Sequence, residues 1–173
     1  MAEKPEYRIR EIEETDAVKI LNLVMEIADE SDNFPFTSED FETSPENQRS
    51  FILYMQQMKN SVYYGAFIEE EPIGLIYLEG GRRNKTFHLC NLGMGVRKAY
   101  WGQRIGTALM QAAMKYAQAS EYIAKIDLQV RTDNAFAIRL YRAFGFETEG
   151  RIRRAIFSRG EFYDYLHMGK IMD

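Results

Sequence analysis

A glycine-containing turn in the middle of the chain has the composition of a phosphate-binding segment. The run from Leu92 to Leu109 reads LGMGVRKAYWGQRIGTAL, in which a β-rich stretch passes through glycines into a helical pattern. A helix that begins in this way presents unpaired N–H groups at the positive end of its dipole, where a phosphate or pyrophosphate can bind. The same glycines also suit a tight turn without a ligand. The run lacks the P-loop and GxGxxG patterns, which disfavours nucleoside triphosphates and dinucleotides.

Hydrophobic periodicity predicts the elements that position this turn. Alternating runs predict strands at residues 7–12, 62–69, 73–80, 86–96 and 123–130, followed by a C-terminal hairpin that turns at 158–161. Helical spacing predicts helices at about 16–28, 45–59, 100–120 and 134–144. Asp16 and Ser44 have the residue types of N-caps. The order β-α-α-β-β-β-α-β-α-β-β is typical of an α/β fold with a mixed, mostly antiparallel sheet flanked by helices.

The composition fits a single domain, residues 1–173, that needs no metal or disulfide. Hydrophobic residues make up 46% of the 173 residues, enough for one core. Cys90 is the single cysteine, and with two histidines it gives no spacing for a zinc site. The polar start and the absence of an apolar run of roughly 18 residues predict a cytoplasmic chain without a membrane partner. A net charge of −4 disfavours nucleic acid as a partner.

Two ordered motifs resemble those of the GNAT superfamily of N-acetyltransferases. The first, V-x-x-x-Y-x-G-x-x-I-G-[ST]-x-L, extends from Val96 to Leu109. The second, N-x-x-A-x-x-L-Y-x-x-x-G-F, extends from Asn134 to Phe146 and follows the expected strand. The segment 149–168 further resembles the bacterial branch of ribosomal-protein and spermidine acetyltransferases. The resemblance implies the GNAT, or acyl-CoA N-acyltransferase, fold.

The resemblance also implies acetyl-CoA as the cofactor and assigns residues to it. In similar proteins a strand pairs with the pantetheine arm, here through Met94 and Val96, after a splay from the strand at 123–130. Asn134 is either near the cofactor or a plain N-cap. The backbone N–H groups implied for the pyrophosphate belong to Gly102, Gln103, Arg104, Ile105, Gly106 and Thr107.

The turn departs from the family pattern at two positions. Arg104 stands where a glycine is usual, and Trp101 stands where a glutamine or arginine is usual. Arg104 either points its guanidinium at a cofactor phosphate or simply faces solvent. If position 104 requires a positive φ, its fit to the pyrophosphate is in doubt, because glycine adopts that conformation most easily.

For catalysis, the resemblance implies Tyr141 as the general acid that protonates the leaving thiolate. The N–H of Met94 is implied as the donor to the thioester oxygen. The general base is not evident, because Cys90 occupies the strand position where many relatives have a glutamate or histidine. Glu79 and His88 are the candidates for this role, and a chain of water molecules is the alternative.

The predicted function is therefore acetyl transfer from acetyl-CoA to a primary amine, either a small cationic amine or a peptide N-terminus. Acidic residues between the first two helices could attract a cationic amine, or could simply be solvated. Phe34, Phe36 and Phe41 could wall the same pocket. The alternative from another class is a catalytically silent acyl-CoA-binding regulatory module. The resemblance alone implies a homodimer through the last strands; residues 158–164 could form its edge, although their charges also suit an edge protected against pairing.

Overall fold

A computed structural model describes residues 6–40 and 43–173 of the protein, and this part forms one sheet with helices on both faces. The strands are β1 (Arg8–Glu11), β2 (Val62–Ile68), β3 (Glu71–Gly80), β4 (Leu89–Val96), β5 (Lys125–Arg131), β6 (Glu147–Ser158) and β7 (Glu161–Ile171). The α-helices are α1 (Ala17–Glu30), α2 (Pro45–Gln57), α3 (Ile105–Ala119) and α4 (Ala135–Ala143). Their order confirms the predicted order of elements.

The seven strands are arranged in the order β1-β2-β3-β4-β5-β7-β6. Among the described residues every neighbouring pair is antiparallel except β4 and β5, which are parallel. That parallel pairing extends only from Leu89↔Lys125 to Asn91↔Asp127. Beyond Asn91 the two strands separate, so the sheet opens into a V-shaped gap at its centre.

The two faces of the sheet carry separate hydrophobic clusters. On one face α3 and α4 bury a cluster that includes Leu109, Ala113, Ile126 and Tyr141. On the other face α1 and α2 pack against side chains of β2 and β3, as Ile20, Ile52 and Phe67 show. Because helices cover both faces, the gap between β4 and β5 lies inside a layered structure rather than at its rim.

Helix ends follow local sequence signals, with one correction. Ser44 caps α2 by accepting the N–H of Asn47 at 3.2 Å, and Pro45 occupies the first turn, as predicted. Asp16 stands at the N-cap position of α1, but its side chain makes no capping bond there. Its carboxylate instead accepts from the Glu13 N–H at 2.8 Å and from the Arg10 guanidinium at 2.7 and 2.9 Å. The Asp16 carboxylate is therefore bound by Arg10 and by the Glu13 N–H instead of capping α1.

Within residues 6–40 and 43–173, no helix combines the length and the apolar character needed to cross a membrane.

Candidate active site

The turn before α3 supplies a concentrated set of free backbone donors. The first helical bond of this region runs from the Ala108 N–H to the Arg104 carbonyl, at 3.1 Å. In the part of the chain that the structure describes, the N–H groups of residues 102–107 have no acceptor. Gly102 and Arg104 both have positive φ, 76° and 64°. The turn therefore keeps the left-handed conformation that suits glycine, and Arg104 adopts it with its backbone N–H free.

Trp101 closes the same turn from the side. Its indole Nε1 donates to the Val96 carbonyl at 2.7 Å, which ties the end of β4 to the start of the helix turn. A glutamine or arginine, the residue types usual at this position, would not place a rigid ring across the turn. Trp101 thus acts here as a structural brace, while about half of its surface remains exposed.

Beyond the last β4–β5 pair, β4 has a free edge that faces the gap. The Arg97 N–H donates to the Ile73 carbonyl and the Gly81 N–H donates to the Leu89 carbonyl, both at 2.9 Å. Because hydrogen bonding alternates along an antiparallel pair, Gly93 and Gly95 turn their backbone groups toward β3. Met94 and Val96 therefore turn theirs toward the gap. The Val96 carbonyl is taken by Trp101, which leaves the Val96 N–H and both backbone groups of Met94.

Gly93 is required by a tyrosine that crosses over it. A Cβ added at Gly93 would lie 2.3 to 2.4 Å from the ring atoms of Tyr77, far inside contact distance. Tyr77 is the cross-strand partner of Gly93 on β3 and lines the gap. Burial and the Glu79 carboxylate raise the pKa of the Tyr77 phenol. The glycine thus lets an aromatic side chain lie flat against β4 at the mouth of the gap.

One cavity of about 790 Å³ connects the helix turn, the gap and the face covered by α1. Its size is in the range of small-molecule and cofactor sites. Gln103 does not line it, since its side-chain amide bends back to the Ala99 carbonyl at 3.4 Å. The other residues predicted for the cofactor do line it: Met94, Val96, Gly102, Arg104, Ile105, Gly106, Thr107 and Asn134. Asn134 caps α4, accepting the Ala137 N–H at 3.2 Å, which confirms the predicted N-cap, and its nearness to the cofactor stays a prediction.

Tyr141 reaches the cavity from α4. The residue is 7% exposed and lines the cavity, and its ring packs beside Phe146. Its hydroxyl has no hydrogen-bond partner among residues 6–40 and 43–173. Burial, with a smaller contribution from Tyr77, raises the pKa of Tyr141 to about 12. The phenol therefore stays protonated near neutral pH, with its donor available to a ligand in the cavity.

Neither of the candidate bases named from the sequence lines the cavity. Glu79 is on β3, 3.5 Å from the Arg82 guanidinium. His88 is exposed in the turn before β4, and its carbonyl accepts the N–H of Ala124 at 2.9 Å. Cys90 is fully buried and its thiol donates to the Asn60 carbonyl at 3.1 Å. Burial raises the pKa of Cys90 to about 12, which makes the thiol an inert core group.

The structure instead brings together polar residues that sequence reasoning missed. Asp127 and Gln129 on β5 point to the α1 face of the sheet, and His167 on β7 is the cross-strand partner of Gln129. All three line the cavity, together with Asn91 on β4. The only local signal was that two polar residues, Asp127 and Gln129, alternate with apolar ones in the strand segment IDLQV. Their closeness depends on β7 pairing with β5, which no local pattern reveals.

The cavity is roofed by the segment after α1, residues 31–36, which two arginines hold in place. The Arg131 guanidinium donates to the Asp32 carbonyl at 2.7 Å and pairs with both Asp133 oxygens at 2.6 and 2.9 Å. It also lies 3.7 Å from the centre of the Tyr163 ring. Arg159, in the β6–β7 turn, meets the Asp32 carboxylate at 2.8 Å. The roof is thus tied to the C-terminal half of the sheet.

Acidic residues near this roof have partners other than a ligand. Glu26 pairs with Arg97 at 2.8 Å, and Glu30 accepts the Lys98 N–H at 2.7 Å. Asp29 and Asp40 accept backbone N–H groups of the loop itself. None of these described carboxylates lines the cavity, and Phe41 and Glu42 lie outside the described residues. On this side the lining is mainly apolar and aromatic: Val24, Ile27, Phe34, Pro35, Phe36, Tyr63, Leu75 and Tyr77.

A free helix turn, a splayed strand and a tyrosine in one cavity are the features that the predicted family requires. A sequence model of the acetyltransferase (GNAT) family matches residues 22–146. This chain belongs to the GNAT family. The membership confirms the predicted family, and the seven-stranded mixed sheet with helices on both faces confirms the predicted fold.

Individual relatives are similar at moderate identity. An L-amino acid N-acetyltransferase of Escherichia coli is 26% identical over 106 residues, which cover 61% of this chain and 65% of that protein. An N-alpha-acetyltransferase of Sulfurisphaera tokodaii is 28% identical over 166 residues, or 90% of this chain and 89% of that one. The crystal structure of a GNAT acetyltransferase from Streptococcus pneumoniae has a TM-score of 0.93 at 27% identity, covering 97% of this chain and all of that chain.

Proposed function

We propose that this chain is an N-acetyltransferase that uses acetyl-CoA and acts on a primary amine. One observation carries the proposal: the free N–H groups of the α3 turn, the free edge of β4 and the Tyr141 hydroxyl all meet in one cavity. The relatives named for amino-acid and N-alpha acetylation support the same class of reaction. Membership of the GNAT family supports acetyl-CoA as the donor.

The residues present fit this cofactor. The N–H groups of residues 102–107 and the dipole of α3 would hold the pyrophosphate, with the Arg104 guanidinium as an added cation. The Met94 backbone and the Val96 N–H would pair with the amide groups of the pantetheine arm, as an added strand does. Bound acetyl-CoA supplies an acetyl group activated as a thioester. Apart from the Arg104 guanidinium, each of these contacts uses a backbone group that has no partner among the described residues.

Tyr141 would hold the proton that the leaving sulfur needs. Its hydroxyl is free, accessible from the cavity and protonated at neutral pH because burial raises its pKa to about 12. The Met94 N–H, which faces the gap, would donate to the thioester oxygen and stabilise negative charge there. These two donors are on opposite sides of the gap, one on α4 and one on β4.

For the acceptor we propose an amine carried on an apolar or aromatic body, either a small molecule or a peptide N-terminus. The stacked rings of Phe34 and Phe36, 5.5 Å apart, line the acceptor side with Tyr63 and Tyr77. The four acidic residues described above near the roof already have partners within the chain, which leaves their carboxylates little capacity to bind a polyamine. A hydrophobic pocket of this kind favours an apolar group by about 0.8 kcal/mol for each buried methylene. A cytoplasmic location and a homodimer remain predictions.

The test is release of free thiol from acetyl-CoA in the presence of an amine panel. The panel contains aromatic amino-acid amides, peptides with apolar N-terminal residues, aminoglycosides and spermidine. We expect turnover with the aromatic amides or peptides, and a kcat about 100-fold lower in Tyr141→Phe with little change in the KM for acetyl-CoA. Tyr122→Phe is the matched control, since Tyr122 does not line the cavity.

Three results would each count against a different part of the proposal. Cofactor binding without turnover on any amine would favour the silent acyl-CoA-binding module. Full activity in Tyr141→Phe would remove the proposed acid while leaving the reaction itself in place. A clear preference for spermidine would contradict only the apolar acceptor.

A further inference from the structure

A charged cluster lies at the foot of the gap, beside the cavity. His167 Nε2 is 3.3 Å from Asp127 Oδ2 and 3.8 Å from Glu149 Oε2. The Lys125 ammonium lies 3.1 Å from Asp127 Oδ1 and 2.8 Å from Glu149 Oε2. The carboxylates of Asp127 and Glu149 and the imidazole of His167 are close enough to one another to hold a metal ion. Lys125 already supplies one cation to these two carboxylates, which disfavours a metal ion there.

Gly169 makes the cluster sterically possible. It is the cross-strand partner of Asp127 on β5 and of Glu147 on β6. A Cβ added at Gly169 would lie 2.4 Å from a Glu149 carboxylate oxygen and 3.1 Å from Asp127 Oδ1. The missing side chain leaves room for two carboxylates on one face of the sheet. Their shared neighbours are the ammonium of Lys125 and the imidazole of His167.

The register places His167 at the level where the gap opens. The last β4–β5 pair is Asn91↔Asp127. Two residues further along each strand, on the same face of the sheet, Gly93 lies on the β4 side of the gap. Gln129 on β5 and its cross-strand partner His167 on β7 lie on the other side. Tyr77 crosses Gly93 at this level. His167 and Tyr141 both line the cavity, His167 from β7 and Tyr141 from α4.

Among the described residues, two carboxylates and one ammonium lie next to His167, which leaves one net negative charge beside it. An imidazolium formed when His167 takes a proton from the amine would face this charge, with the 7% exposed Asp127 carboxylate as its nearest partner. The side chain of His167 is 32% exposed, so solvent can remove the proton afterwards. Besides Asp127 and His167, the described residues that line the cavity include one further charged side chain, Arg104.

We propose that His167 is the general base of the reaction and that Asp127 positions it. This inference rests on the proposed function. An amine reaches the cavity mostly as its ammonium ion, and His167 accepts one of its N–H protons, which leaves the nitrogen lone pair free. The nitrogen then forms a bond to the acetyl carbon while the carbon–sulfur bond breaks. Tyr141 protonates the departing sulfur and becomes a phenolate, and the second proton lost by the nitrogen restores the Tyr141 phenol. The first proton passes from His167 to bulk water, so the products are the acetylated amine, the free thiol of the coenzyme and one released proton.

The two histidines of the chain make a matched comparison. We expect His167→Gln to lower kcat/KM at neutral pH by about 100-fold, with the loss shrinking as the pH rises and more of the amine is already neutral. His88→Gln, at the exposed turn, should keep the native rate and pH profile. If instead His167→Gln stays within about threefold of the native kcat/KM and keeps its acid limb, the proposal is overturned.

A second measurement does not depend on turnover. The NMR signals of the imidazole nitrogens in the free protein should show that Asp127→Asn alters the hydrogen bond at His167 Nε2 and leaves the His88 signals unchanged. Unchanged His167 nitrogen signals in a folded Asp127→Asn variant would overturn the positioning role. Activity in the native protein together with an active His167→Gln variant would sink this inference alone. No acetyl transfer by the native protein to any amine would overturn the proposed function and this inference with it.

Discussion

Arg131 should be the residue whose loss releases the roof of the cavity. It is 6% exposed, and its guanidinium holds Asp32, Asp133 and the face of Tyr163 at once. Replacing it with methionine keeps most of the packing of the side-chain stem but removes all three polar contacts. The Asp32 carbonyl then loses its charged donor, and the segment 31–36 loses its link to β5.

The magnitude follows from these contacts. A hydrogen bond from a charged donor contributes about 1.5–3 kcal/mol, and a partly buried cation–π contact contributes about 1 kcal/mol. The Asp133 pair adds little, because that carboxylate is 53% exposed. We therefore expect Arg131→Met to lower the free energy of unfolding by about 3 kcal/mol. For a chain of this length that corresponds to a fall in Tm of about 6–12 °C.

Arg159→Met is the matched control, because Arg159 also holds Asp32. Its side chain is 78% exposed and its partner carboxylate is 42% exposed. An ion pair this exposed contributes less than about 1 kcal/mol. Urea and thermal unfolding should separate the two variants, and the KM for the acceptor should rise mainly in Arg131→Met. A Tm change below about 2 °C in Arg131→Met, or an equal fall in both variants, would refute this reasoning.

Two further predictions concern the turn and the core. Arg104→Gly should raise the free energy of unfolding by about 0.5–1 kcal/mol, because glycine adopts the φ of 64° without the steric cost that arginine bears. Arg104→Ala keeps that steric cost and should show no such gain in urea unfolding. An equal gain in both variants would contradict the explanation. Cys90 should resist thiol reagents in the native protein at pH 8 and react on unfolding, since the thiol is buried and its pKa is raised to about 12; rapid reaction of the native protein would show that the thiol is accessible.

Most of the fold could be predicted from signals between residues that are close in sequence. Ser44 followed by Pro45 predicted the start of α2, the glycine turn predicted α3, and the turn at 158–161 predicted a C-terminal hairpin that the structure confirms. Each of these depends on neighbours in sequence. Asp16 is the exception, because its carboxylate does not cap α1 but accepts from the Glu13 N–H at the preceding 3-10 helix and from Arg10 on β1.

The cavity was only half predictable for the same reason. Family motifs predicted that the turn before α3 and Tyr141 belong to the site, and both line the cavity, since each motif is contiguous in sequence. Glu79 and His88 were chosen for their nearness to β4 along the chain, but neither lines the cavity. Asp127 and His167 meet because β7 inserts between β5 and β6, a pairing that depends on the whole sheet. A polar residue in a buried strand was the one hint available.

The most direct test of the central claim is transfer of a labelled acetyl group. The native protein would be incubated with acetyl-CoA labelled in the acetyl group and with an aromatic amino-acid amide, and the amide would be isolated and counted. The account predicts label on the amine nitrogen, with one free thiol released for each acetyl group transferred. Retention of all label on the coenzyme, in a protein that binds it, would contradict the claim that this cavity catalyses acetyl transfer.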